Sequence, residues 1–212
     1  MEQIAGYLDE RRRTELALRM IGHEARTCTI KQCTGLSDDR IRRLYGRYFK
    51  HDPRAVRRQR GKSPSRTSIY VRNAVNQCEA TTLTLLLFAC DVLRLTPEGA
   101  VDASSPPVAT LEHGLRFCTA FETYVSVHRN PHYCFERAWG LSRALRRGDE
   151  LVLMDCVTCS GIYVHHLLEL DDARCPCCRL KGVVTRRSAH AVGDLAARQR
   201  QAAFRALSAG RS

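Results

Sequence analysis

At 212 residues and 24.0 kDa the chain is long enough to bury a helical core and to carry one small additional module. Its 34 Lys and Arg against 22 Asp and Glu give a formal charge of +12 and a pI near 9.5, the balance of a protein whose partner is a polyanion, nucleic acid first. No apolar run reaches the roughly 18 residues of a membrane span, and the eleven cysteines, odd in number and behind a start without an apolar signal segment, point to a soluble protein of a reducing cytoplasm rather than a disulfide scaffold.

From about Asp9 to Thr27 good helix formers dominate, with Leu16, Met20 and Ile21 on an apolar side, so a first helix is expected there. The stretch Ile30 to Tyr45 follows, with Gly35 between two short helical patterns where it can supply a left-handed turn. Ser37 is a natural N-cap, Asp38 and Asp39 suit the positive end of a helix dipole, and Ile41, Leu44, Tyr45 and Tyr48 share one face. This reads as a helix-turn-helix-like segment, although Lys31 stands where tightly packed examples carry a small residue. Arg40, Arg42, Arg43 and Arg47 fall on the other faces and are candidate DNA contacts; the alternative is a solvated amphipathic helix of an ordinary bundle.

His51 to Ser68 reads as a basic loop or arm in which Arg57, Arg58, Arg60 and Lys62 extend the candidate DNA-binding set. Between Arg40 and Arg66 stand eleven basic residues and one acidic residue, Asp52, so the positive charge of the whole chain is concentrated here. Ile69 to Leu95 is the longest helical pattern, and Thr96 to Pro107 has the turn chemistry of a loop. Two more helices are expected over Val108 to Val127 and Tyr133 to Arg147, separated by Asn130 and Pro131, with Trp139 in the core.

Glu150 to Met154 reads as a short strand running into Cys156. The pairs Cys156 with Cys159 and Cys175 with Cys178 are separated by fifteen residues, the spacing of a four-thiolate zinc site. A tetrahedral shell of four thiolates leaves no open position, so such a zinc is structural; the competing reading is buried or disulfide-paired cysteines. Cys177 is then the spare thiol, and His165 and His166 are expected as partly exposed strand residues rather than ligands. Beyond Cys178 the chain is basic again, with an Ala-rich helix expected near Gly193 to Leu207.

The organisation expected is therefore mainly α: a helical DNA-binding and partner-binding domain over 1–148, a small zinc-ribbon-like module over 149–185, and a basic tail over 186–212. The order Gly35-Leu36-Ser37 with Leu44-Tyr45, then Glu136-Arg137-Ala138-Trp139, then a short apolar run into two cysteine pairs around a histidine-bearing strand resembles the FlhC family. That family is the flagellar transcriptional activator subunit that works with FlhD. The resemblance covers roughly residues 10 to 185 and implies a mainly helical protein with one structural zinc per subunit on Cys156, Cys159, Cys175 and Cys178. It further implies a heterohexamer of two FlhC and four FlhD subunits on promoter DNA, with RNA polymerase as a further partner. A second function class, a thiol-based redox sensor or enzyme using the CxxC pairs, would need accessible low-pKa thiolates and is usually set in a βαβ context. No Walker loop, dinucleotide glycine pattern, HExxH helix or nucleophile elbow is present, so no enzymatic activity is expected.

Overall fold

The computed structural model describes residues 2–50, 56–57, 59, 65–104, 110–169 and 173–181. Among them it is mainly helical, as expected: α1 (Glu2–Gly22), α2 (Thr27–Thr34), α3 (Asp38–Tyr48), α4 (Ala74–Ala89), α5 (Leu111–Val127), α6 (Phe135–Arg147) and the short α7 (Pro176–Leu180) accompany one two-stranded sheet of β1 (Leu151–Asp155) and β2 (Ile162–His166). The expected tail over 186–212, with its helix, and most of the basic arm, including Arg58, Arg60 and Lys62, lie outside the described residues. No helix among the described residues is long and apolar enough to cross a membrane.

Several element boundaries differ from those the sequence suggests: the first helix begins at Glu2 instead of about Asp9, α5 at Leu111 instead of Val108 and α6 at Phe135 instead of Tyr133, and three further differences have a local reason. The first helix stops at Gly22 instead of Thr27 because Glu24 takes a left-handed conformation (φ 59°). The Glu24 amide then donates to Ile21 O and the Ala25 amide to Met20 O, closing the helix end with the paired bonds of a Schellman motif. The long fourth pattern shortens at both ends. Asn73 accepts a bond from the Asn76 amide at 2.8 Å and so caps α4 after a 3₁₀ turn at Ser68–Tyr70. At the other end Asp91 turns left-handed (φ 55°), and Val92 and Leu93 are buried beyond the helix.

The described residues form two compact units. The first draws on the described residues within Met1–Pro64, Ala89–Val92 and Pro106–Gly140; the second on those within Ser65–Phe88, Leu93–Ser105 and Leu141–Ser212. In the first, Leu16, Ala17 and Met20 of α1, Ile30 and Cys33 of α2, and Phe117, Cys118 and Phe121 of α5 are buried together with Phe135 and Trp139 at the start of α6. Gly114 sits where these helices converge: a Cβ there would lie 2.7 Å from Leu16 Cδ2 and 2.9 Å from Cys33 Cβ, so only a glycine admits so close an approach. Aromatic edges fill the remainder, Phe117 meeting Trp139 at 4.7 Å and Phe135 at 5.1 Å between ring centroids.

Polar groups fix the ends of α2. The buried Glu136 carboxylate accepts from the Arg26 amide at 2.7 Å at the N-terminal end, where the dipole favours a negative charge. At the C-terminal end Gly35 is left-handed (φ 68°) and its amide returns to Lys31 O, while the Arg13 guanidinium of α1 donates to Thr34 O at 3.0 Å. Ser37 then caps α3 as expected, its hydroxyl accepting from the Arg40 amide.

Elsewhere in this unit Arg19 of α1 and His23, the residue just past its end, both bond to Glu122 of α5, at 2.6 and 2.7 Å. The hydrogen bond from Arg19, opposed by partial burial and helped by His23, holds the Glu122 carboxyl down to about 2. A carboxylate depressed in the folded state stabilises the fold above the ordinary carboxylate range, and that contribution is lost as pH falls toward its folded value. Since Glu122 is partly solvated, its contribution is about 1 kcal/mol after screening. Glu122→Gln is therefore expected to lower unfolding free energy by this amount at pH 7 and by less at pH 3, measured by urea titration at both values; an equal loss at both would contradict the assignment.

Candidate metal centre

β1 and β2 pair antiparallel, with Leu151 opposite His166 and Asp155 opposite Ile162, so the hairpin delivers Cys156 directly after the last residue of β1. The chain then turns tightly: Ser160, left-handed at φ 58°, donates to Cys156 O, and the Cys156 amide donates to Gly161 O. Cys175 enters from the other side as the N-cap of α7, with Pro176 at the first helical position, where the missing amide proton costs no helix bond. In each pair the sulfur of the first cysteine accepts from an amide of its own turn. The Thr158 amide donates to Cys156 Sγ at 3.4 Å and the Cys178 amide to Cys175 Sγ at 3.4 Å, and the Cys175 amide adds a bond to Cys156 Sγ at 3.2 Å.

These turns bring Cys156, Cys159, Cys175 and Cys178 together with all four sulfurs within 4.8 Å of one another. Four sulfurs bound to one ion at about 2.3 Å stand about 3.8 Å apart at the corners of a tetrahedron; Cys159 Sγ and Cys175 Sγ are 3.7 Å apart. The donor set fits a thiophilic metal ion. Burial opposes ionisation of Cys156, but the surrounding amides outweigh it and bring that thiol down to about 6. Burial and the neighbouring thiols raise Cys175 and Cys178, so a cation is what allows all four sulfurs to be thiolates together. Met154, Val157, Tyr163 and Ala173 are buried around the sulfurs, and Val152 packs against them.

α4 belongs to this unit and is bonded to it in a way that spacing does not reveal. Gln77 is fully buried; its amide group donates to Val164 O at 2.8 Å and its oxygen accepts from the Arg179 guanidinium of α7. Four residues on, Thr81 Oγ1 accepts from the Val164 amide at 3.1 Å. Two side chains at i and i+4 of a helix thus satisfy both backbone groups of one strand residue, as a third strand would. His165 and His166 are not with the sulfurs. His165 Nε2 lies 3.2 Å from Glu169 O and the Leu168 amide donates to His166 Nδ1; His165 is 1% exposed, more buried than a partly exposed strand residue.

Cys177 does not join the cluster either. Its exposed sulfur lies 3.3 Å from Cys78 Sγ on α4, and burial, followed by this neighbour, pushes the Cys78 thiol up to about 12. Cys78 had no motif to mark it, because its partner is ninety-nine positions away.

The candidate DNA contacts are not equivalent. Arg40 is paired with Glu10 of α1 at 2.5 Å and Arg42 with Asp39 at 2.8 Å, while Lys31 reaches Asp38 at 3.3 Å. Arg43 and Arg47 are exposed, one turn apart on α3, with no carboxylate partner among the described residues; Arg47 lies 5.4 Å over the Tyr48 ring. Of the arm, the Arg57 amide and the Gln59 side chain both donate to Glu24, and Tyr45 donates to Val56 O.

Unit 2 thus carries a four-cysteine centre of the kind that holds a metal ion. No protein-family model matches the chain, and no curated protein matches it.

Replacing Cys156 or Cys175 by Ser is expected to abolish stoichiometric metal binding and leave residues 150–180 protease-sensitive, whereas Cys177→Ser retains both metal and protection. Metal content by elemental analysis of each purified variant checks this; metal loss in Cys177→Ser with retention in Cys178→Ser would reverse the ligand assignment.

Proposed function

We propose that this chain is a DNA-binding transcriptional activator subunit of the FlhC type, whose α2, Gly35 turn and α3 act as a helix-turn-helix and whose cysteine module is a zinc-ribbon-like structural element. The observation that carries the reading is the pair Arg43 and Arg47: two exposed guanidinium groups on one turn-separated stripe of a helix that follows a left-handed glycine turn. Such a helix, laid in a major groove, presents its side chains to base edges and phosphates. The acidic residues at its start, which would repel phosphate, are matched by Lys31 and Arg42. The eleven basic residues between Arg40 and Arg66 supply phosphate neutralisation around it.

In this reading the metal is zinc, one per subunit, and its role is to fold the C-terminal module, since four thiolates leave no position for a substrate. The partner is an FlhD-type subunit and the target a flagellar promoter, both by family resemblance. A single helix-turn-helix offers a small footprint, so assembly with the partner, which doubles the contacts, precedes tight binding. A gel-shift titration of the purified chain, alone and with an FlhD-type partner, on flagellar promoter fragments tests the whole reading; equal, weak binding to promoter and random duplexes in both states would remove it.

The pairing pattern makes a sharper prediction. Arg43→Ala and Arg47→Ala are each expected to weaken promoter binding by about 1–3 kcal/mol, and Arg40→Ala and Arg42→Ala by clearly less, because their charges are already matched by Glu10 and Asp39. Fluorescence anisotropy on specific and random duplexes over a range of salt distinguishes the two pairs; losses as large for Arg40 and Arg42 as for Arg43 and Arg47 would contradict it.

A further inference from the structure

We propose that Cys78 and Cys177 are a reversible disulfide site, oxidised by hydroperoxides, that tethers α4 covalently to the second cysteine pair beside the metal centre. The two sulfurs stand 3.3 Å apart, closer than the sum of two sulfur radii, and neither belongs to the four-sulfur cluster. A disulfide needs about 2.05 Å, so the thiols have only a little over an ångström to close, a distance that side-chain rotation covers. The two ends are held together by bonds that do not involve the thiols. Gln77, next to Cys78, is held to Val164 and to Arg179, and Arg179, two residues past Cys177, lies on the same short helix. The encounter of these thiols therefore does not depend on a mobile loop.

Exposure sets the order of events. Cys177 is exposed and Cys78 half-buried, so peroxide reaches Cys177 first. The Cys177 sulfur attacks one oxygen of hydrogen peroxide, the O–O bond breaks, the thiol proton leaves with the departing hydroxide, and the products are a sulfenic acid and one water; sulfur is oxidised and peroxide reduced. Cys78 sulfur then attacks the sulfenyl sulfur, and the departing hydroxyl leaves with the Cys78 proton as a second water, closing the S–S bond. A thiol reductant reverses the step by exchange. The four cluster cysteines are excluded from it: their sulfurs lie within 4.8 Å of one another, placed to be shared by one metal ion.

This inference is independent of the DNA-binding reading. Its test uses the full-length, metal-loaded protein treated with one to a few equivalents of hydrogen peroxide, alkylated, digested without reductant and mapped by mass spectrometry, with a chromogenic chelator present to report metal release. The expected product is a peptide pair joining Cys78 to Cys177, removed by dithiothreitol, formed before metal is released. In Cys78→Ser the linked pair should vanish and Cys177 should instead be captured by dimedone as a sulfenic acid. The wild-type mapping stands by itself should that variant fail to fold. A principal disulfide joining Cys177 to a cluster cysteine with metal release, or an unlinked Cys78 after full oxidation of Cys177, would overturn the proposal.

Discussion

Mutual repulsion of four sulfurs held within 4.8 Å is the constraint on which the second unit depends. Backbone amides stabilise one thiolate at Cys156, but burial and neighbours raise Cys175 and Cys178, so the arrangement is balanced only with a cation at its centre. Around that centre the apolar material is slight: Met154, Val157, Tyr163, Ala173 and the edge of Val152. A two-stranded hairpin is marginal on its own. Bonding of Val164 by Gln77 and Thr81 supplies what the sheet lacks, using the side chains of a helix to finish a strand edge.

The first unit solves a different problem, that of holding a short helix at a defined angle. Eight residues of α2 would not be helical in isolation. Glu136 at its start and Gly35 with Arg13 at its end satisfy its terminal backbone groups, and Gly114 lets α5 close on it. The Glu136-Arg137-Ala138-Trp139 stretch thereby acquires a physical meaning. Glu136 caps α2, Trp139 packs on Phe117, and Ala138 is fully buried, so the motif orients the segment that leads into α3.

Much of this was legible in the sequence where the chemistry is local. Two CxxC pairs specify turns as well as ligands, and Gly35 with Ser37 specifies both a helix end and a helix start. Boundaries set by Glu24 and Asp91 were not legible, because both adopt a conformation that favours glycine and both bond to residues distant in sequence, Glu24 to the Arg57 amide and Asp91 to Arg116. Nor was the difference among the α3 arginines: charge and spacing are alike for Arg40 and Arg43, and only the approach of α1 through Glu10 separates them. The contact between Cys78 and Cys177, and the role of Gln77, are long-range by nature; a glutamine in an apolar helix gives no sign of the strand it completes.

The central claim, that a closed shell of four thiolates around one ion organises the second unit, is tested most directly by X-ray absorption at the metal edge of the protein purified with its native metal. The account predicts zinc at one per chain with four sulfur scatterers at about 2.3 Å and no nitrogen or oxygen in the first shell. A first shell containing histidine nitrogen or water oxygen, or a protein that folds and resists proteolysis over residues 150–180 with no bound metal, would contradict it.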